Sequence, residues 1–78
     1  MMITKVYVGW FNDDTFASGV FELTLRNPIS EEEAKDKAQK LGFTENDFVE
    51  DMNKQFPQMC CSYSYYMTRE DAIRGSSL

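Results

Sequence analysis

The sequence predicts an α+β fold in which a small antiparallel sheet packs on two helices. Two β-rich runs joined by a polar turn lie near the N-terminus, two helix-capping signals follow in the middle, and a short aromatic segment comes last. The predicted order is therefore β-β-α-α-β-(α), with one sheet and one helical layer. Because residues 1–78 contain no linker or repeat that would divide them, a single domain is expected.

The first two strands are predicted to form an antiparallel hairpin. Residues 2–11 carry apolar side chains at both odd and even positions, which predicts a strand covered on both faces or an edge used for binding. Residues 12–15 have the composition of a turn, and residues 16–25 resume as a second strand. Gly19 inside that strand predicts a bulge or a close approach of another group to the backbone.

The first helix is predicted to begin after Ser30. The Ser30 side chain can cap the helix together with Glu33, while Ile29 and Ala34 occupy the two positions of a hydrophobic staple. Acidic side chains precede lysines by four residues along this segment, which is the favourable order for helical ion pairs. Gly42 occupies the position expected for a C-terminal cap.

A second helix is predicted over residues 44–56. Thr44 and Asp47 form a second capping pair, and Phe43 and Phe48 form a larger hydrophobic staple. Pro57 closes this helix, because proline cannot continue the hydrogen-bonding pattern.

The C-terminal part is predicted to supply a third strand and a short last helix. Residues 59–67 are rich in aromatic side chains, and one side of the strand is formed by Cys61, Tyr63, Tyr65 and Met67. Thr68 and Asp71 form a third capping pair, which opens a turn that runs through Ile73. Residues 74–78 are expected to be a frayed tail.

The composition lacks the groups on which most active sites depend. The chain has no histidine, its four glycines are isolated, and its two cysteines are the neighbours Cys60 and Cys61. These residues cannot build a Ser-His-Asp triad, a phosphate-binding glycine loop or a structural zinc site. We therefore expect no enzymatic activity, cofactor or metal. Reduced thiols and a cytoplasmic location are expected, because neither a signal peptide nor a membrane span is evident.

The charge of the chain favours a basic partner. Thirteen acidic side chains against eight basic ones give a formal charge of −5, which disfavours unaided binding to nucleic acid or anionic lipid. Asp13 and Asp14 in the turn, together with Glu50 and Asp51 in the second predicted helix, are expected to form an acidic surface that fits a basic site. A solvated turn and a solvated helix face are the alternative interpretation.

Aromatic side chains at the hairpin are candidates for a binding anchor. Trp10 and Phe11 directly precede the predicted turn. Large aromatic side chains dominate the hot spots of protein interfaces. Core packing is the alternative for both. The tyrosines resemble a platform for stacking single-stranded nucleic acid, but few cations accompany them, so core packing is expected for most of them.

The same hairpin resembles a known family. The stretch ITKVYVGWFNDDTFASGVFELTL, residues 3–25, is similar to the opening hairpin of the Dmd antitoxins of T-even bacteriophages. The resemblance is carried by Lys5, Val6, Gly9, Trp10, Phe11, Phe16, Glu22 and Thr24. It implies a phage protein that binds a host toxin endoribonuclease and blocks RNA cleavage. The implied target is an RnlA-type or LsoA-type nuclease, or the ToxN nuclease on which TifA, a phage inhibitor similar in role, acts.

Other functions stay open at this point. An acidic mimic of DNA, similar to antirestriction proteins of the ArdA type, would inhibit a restriction or CRISPR nuclease, although it would need a denser array of carboxylates. An RNA-associated protein would join a nuclease and its RNA in one assembly, with tyrosines for stacking and with Arg69, Arg74 and the first-helix lysines for phosphates. An exposed strand edge would allow a homodimer.

Overall fold

The computed structural model describes residues 2–51, 54 and 62–76, and it describes the side chains of these residues as far as residue 75. Its sheet has three antiparallel strands in the order β2-β1-β3, and two α-helices accompany it. This arrangement confirms the predicted α+β class, the N-terminal hairpin and the third strand. The elements are β1 (Met2–Phe11), β2 (Ser18–Ser30), α1 (Glu31–Lys40), a 3-10 turn (Glu45–Asp47), β3 (Ser62–Tyr66) and α2 (Arg69–Ser76).

β1 is the central strand of the sheet. At its C-terminal end, Phe11 lies opposite Ser18 of β2 on one side and opposite Ser62 of β3 on the other. Near its N-terminal end the register with β2 shifts between Ile3 and Lys5, so that Ile3 joins the core although strict alternation would place it on the other face. The structure therefore assigns the two-sided apolar pattern to a covered central strand rather than to an edge.

The main core lies between the sheet and α1. Phe43 is its centre, with its ring centroid 5.4 Å from that of Phe48 and 5.0 Å from that of Tyr65. Burial, followed by the influence of nearby Tyr63 and Asp47, raises the pKa of Tyr65 to about 12. The buried residues of this core are Ile3, Val6, Val8, Leu23, Leu25, Ala34, Phe43, Phe48 and Tyr65.

The opposite face of the sheet is covered by α2. Successive residues of a strand point to opposite faces, so Tyr66 faces away from the core that Tyr65 joins. Tyr66 packs so closely on Gly75 of α2 that a Cβ atom at residue 75 would overlap its ring. Ala72 of the same helix is fully buried. The sheet is thus enclosed by one helix on each face, which differs from the single helical layer that the sequence predicted.

The ends of α1 follow local signals with one displacement. The Glu33 N–H donates to the Ser30 hydroxyl at 3.1 Å, as the capping pair predicted. At the C-terminus the left-handed residue is Leu41 (φ 52°), one position before the predicted Gly42. The Gly42 N–H then donates to the Lys37 carbonyl at 2.7 Å, as the second residue of a Schellman motif does.

The second predicted helix is wrong in the described part of its span. The capping pair is present, because the Asp47 carboxylate accepts from the Thr44 N–H at 2.8 Å, but it encloses only the 3-10 turn Glu45–Asp47. Phe48 is already extended, with φ −115° and ψ 151°, and pairs with Leu25 of β2. The rest of the prediction, including Pro57, lies outside the described residues.

The chain leaves the helical path here because β2 binds it. The Val49 N–H donates to the Thr24 carbonyl at 2.9 Å. The Glu50 carboxylate accepts from both the N–H and the hydroxyl of Thr24, at 2.6 and 2.8 Å. Partial burial alone would raise the pKa of Glu50, but these hydrogen bonds outweigh it and lower the pKa below 4.5. Pairing with β2 thus replaces the helix that the local sequence favours.

The C-terminal prediction holds for the third strand and the capping pair, but the frayed tail predicted over residues 74–78 is wrong for residues 74–76, which belong to α2. The Asp71 N–H donates to the Thr68 hydroxyl at 3.2 Å at the start of α2, which continues to Ser76, beyond the predicted turn through Ile73. Tyr63 and Met67 pack against the core from the same side as Tyr65. Cys60, Cys61 and the start predicted for this strand lie outside the described residues.

Gly19 is explained by the tryptophan opposite it in the sheet. Gly19 pairs with Trp10, and a Cβ atom built at residue 19 would lie 2.8 Å from the Trp10 Cζ2 atom. The Trp10 indole therefore lies across Gly19, and it also packs against the core. Of the two predicted explanations, close approach is the one observed.

We expect Glu50→Gln to lower the free energy of unfolding by about 1 kcal/mol at pH 7, because charged hydrogen bonds to Thr24 are weakened. The pKa of Glu50 is depressed on folding, so this stabilisation is present above the ordinary value of 4.5 and is lost as the pH falls through the folded value. Denaturant unfolding of both proteins between pH 7 and pH 2 should give curves that converge in acid. Glu32→Gln, at an exposed acid on α1, controls for charge. A difference that persists unchanged to pH 2 would contradict this role.

We expect Gly19→Ala to cost about 1–2 kcal/mol of stability, because the new methyl group must displace the Trp10 ring. In a Trp10→Leu background the obstructing ring atoms are gone, so the same substitution should cost much less. A double-mutant cycle measured by denaturant unfolding gives the coupling between the two sites. An equal cost in both backgrounds would show that the indole is not the obstacle.

Candidate functional site

The loop between β1 and β2 is held in one conformation by Asn12. The Asn12 side-chain oxygen accepts from the N–H groups of Asp14 and Thr15, at 2.9 and 3.3 Å. The backbone of Asn12 also accepts from the Phe16 N–H and donates to the Ala17 carbonyl, both at 2.8 Å. The turn that the sequence predicted is therefore an Asx-type turn closed across its base.

Phe16 occupies an unusual position in this loop. Its φ of 60° lies in the left-handed region, which costs a residue with a Cβ atom roughly 1–2 kcal/mol. Its side chain is 79% exposed, and its ring meets the Phe11 ring edge-on with 6.4 Å between centroids. The sequence placed Phe16 at the start of the second strand, but β2 begins at Ser18. Sequence analysis therefore missed it as a candidate binding residue.

Asp13 and Asp14 are exposed on the same loop. Their backbones form the turn that Asn12 closes, so both side chains project from a hydrogen-bonded backbone between Phe11 and Phe16 along the chain. We define the hairpin tip as Phe11, Asp13, Asp14 and Phe16. It brings together two aromatic rings and two carboxylates on one hydrogen-bonded loop.

The two aromatic residues predicted as anchors are separated by the sheet. Trp10 lies on the face that packs against the main core, and its indole covers Gly19. Phe11 follows it in the strand and therefore points to the opposite face, where it contacts Phe16. Both rings are half-buried. Phe11 thus belongs to the hairpin tip, whereas Trp10 supports the hairpin from the core side.

The four predicted acids do not form one surface. Glu50 is bound to Thr24, which pairs with Lys5, whereas the hairpin tip begins at Phe11. Residues 5 and 11 lie roughly 20 Å apart along an extended strand. Asp51 follows Glu50 and is exposed. The structure therefore brings Asp13 and Asp14 together at one end of the hairpin and places Glu50 and Asp51 near the other.

A second surface feature lies beside β3. An open groove of about 560 Å³ runs between this strand and α1, with Tyr63, Met67, Lys35 and Leu41 among its lining residues. Leu41 is 52% exposed, and its backbone is the left-handed residue that ends α1. Within residues 2–51, 54 and 62–76, β3 pairs only with β1, so its other edge faces this groove.

None of the polar or charged residues that the structure describes is buried. In the same residues no group of three potential metal ligands comes together. The helices of this part of the chain are too short and too polar to cross a membrane.

Comparisons with protein-family models, with curated proteins and with solved structures found no match for this chain. The resemblance of residues 3–25 to the Dmd antitoxins therefore stays a prediction.

Proposed function

We propose that this protein is a phage-encoded antitoxin that binds a host toxin endoribonuclease and occludes its RNA-binding groove or active site. The observation that carries the proposal is the hairpin tip, where two exposed carboxylates and an exposed aromatic ring share one hydrogen-bonded loop. The resemblance of the same hairpin to the Dmd family supports the choice of target.

The chemistry of the tip complements the groove of a ribonuclease. Such an enzyme must hold the phosphates of RNA, so its groove carries Lys and Arg side chains. The carboxylates of Asp13 and Asp14 offer negative charge of the kind that phosphates would supply. The exposed ring of Phe16 offers apolar surface that desolvates on binding, as interface anchors do. A bound protein then excludes RNA without any catalytic step.

The net charge of the protein supports rapid binding to such a groove. At −5 the whole chain is attracted to a cationic surface, and long-range attraction raises the association rate at low ionic strength. Glu50 and Asp51 contribute to this field from the other end of the hairpin, although the Glu50 carboxylate is engaged with Thr24.

The alternative functions receive less support from the geometry. A mimic of duplex DNA needs carboxylates at regular spacing, but the predicted acids are divided between the two ends of the hairpin. The RNA-associated alternative uses tyrosines for stacking, but Tyr65 is buried and Tyr66 packs on Gly75. The groove beside β3 leaves room for a homodimer that would be compatible with the proposed function.

The test is an RNA-cleavage assay with purified RnlA-type, LsoA-type and ToxN-type toxins. The pure protein should inhibit one of them at a stoichiometric concentration and should itself neither cleave RNA nor bind single-stranded RNA. Competition between labelled RNA and the protein for the toxin should show mutual exclusion. The proposal fails if none of the toxins is inhibited, or if a ternary complex with RNA forms.

We expect the double variant Asp13→Asn, Asp14→Asn to associate with the toxin several-fold more slowly at low salt, because two charges that face the basic groove are lost. The difference should shrink as salt screens the interaction. Stopped-flow association at increasing salt concentrations measures both effects. Glu32→Gln with Glu70→Gln removes the same charge from exposed helical positions and should change the rate less. Equal slowing by both pairs would indicate that only the net charge matters.

A further inference from the structure

We infer that Phe16 is the anchor of the hairpin tip and that it fits an apolar pocket rimmed by Lys or Arg side chains on the nuclease. This inference rests on the proposed function and names the part of the partner that the tip recognises.

The backbone at Phe16 shows that folding alone does not explain a phenylalanine there. A left-handed φ of 60° suits glycine, and asparagine tolerates it, whereas a bulky side chain is rare in this region. The loop is nevertheless held there, because the Phe16 N–H donates to the Asn12 carbonyl. Strain of this kind concentrates at functional sites, where the surrounding structure enforces it.

The side chain of Phe16 also gains little from its own fold. It is 79% exposed, which is the largest value among the exposed large hydrophobic residues described. Its ring contact is with Phe11, at the edge of a half-buried ring. A residue that is strained in its backbone and exposed in its side chain serves a contact outside the chain.

The surroundings of Phe16 specify the chemistry of that contact. An exposed phenyl ring gains free energy only where a pocket removes it from water. Asp13 and Asp14 lie within three residues of Phe16, so Lys or Arg side chains at the rim of the pocket would complement their carboxylates. Because Asn12 already holds the loop, little conformational entropy is lost when the tip is inserted.

The test compares Phe16→Asn and Phe16→Gly with the unmodified protein. Both variants remove the ring and suit the left-handed backbone, so the isolated protein should keep or raise its denaturation midpoint. Inhibition of the sensitive toxin ribonuclease should weaken at least 30-fold, as loss of an interface hot spot does. Phe16→Tyr, which keeps the ring, should retain most of the inhibition.

Val49→Ala is the matched control. Val49 is also an exposed apolar residue, at 59%, but it lies beside Thr24 at the other end of the hairpin and should not affect inhibition. Clear destabilisation of both ring-less variants would show that the ring serves packing and would overturn the anchor. Full inhibition by a stable Phe16→Asn would also overturn it while leaving the proposed function intact. Failure of the unmodified protein to inhibit any of the toxins would remove the proposed function and the anchor together.

Discussion

Burial of β1 on both faces is the constraint on which the rest of the structure depends. Val6 and Val8 are fully buried in the main core, and α2, with fully buried Ala72, covers the opposite face. A chain of 78 residues buries only about 60% of the surface that its unfolded form exposes. A central strand covered on both faces therefore buries more apolar surface than a strand covered on one face. The same arrangement determines where the hairpin tip lies. Phe11 ends β1 between two partner strands, so the loop that follows it starts from a well-supported position.

Contacts between neighbours in sequence were predicted well, and contacts between distant residues were not. The capping pairs at Ser30, Thr44 and Thr68 all form, because each joins residues three apart and needs no tertiary partner. The predicted second helix was wrong over residues 48–51 because the sequence there favours a helix locally, while Thr24, 26 residues from Glu50, forms hydrogen bonds with an extended chain. The sequence of residues 44–51 alone does not indicate that Thr24 is the hydrogen-bonding partner.

The placement of the candidate site residues was predicted in part for the same reason. The turn composition placed Asp13 and Asp14 on an exposed loop, and the structure agrees. Alternation along β1 predicts that Trp10 and Phe11 point to opposite faces, and in the structure Trp10 packs against the core whereas Phe11 meets Phe16. Phe16 was missed because a phenylalanine before alternating residues suggests a strand. Its left-handed φ arises from the closure of the turn onto Asn12, and residue type does not reveal that geometry.

Leu41 and Phe16 are the described residues other than glycine that have a left-handed φ, and their strain has different consequences. Leu41 ends α1, and its conformation lets the Gly42 N–H reach the Lys37 carbonyl, so the cost is offset by a helix cap inside the fold. Phe16 ends no helix, and the turn that holds it would close equally well around a glycine. In a domain whose margin of stability is thin, a strained and exposed ring is a net loss to folding. A contact outside the chain would compensate for this loss, which is why we propose Phe16 rather than Trp10 as the residue through which the hairpin would meet a partner.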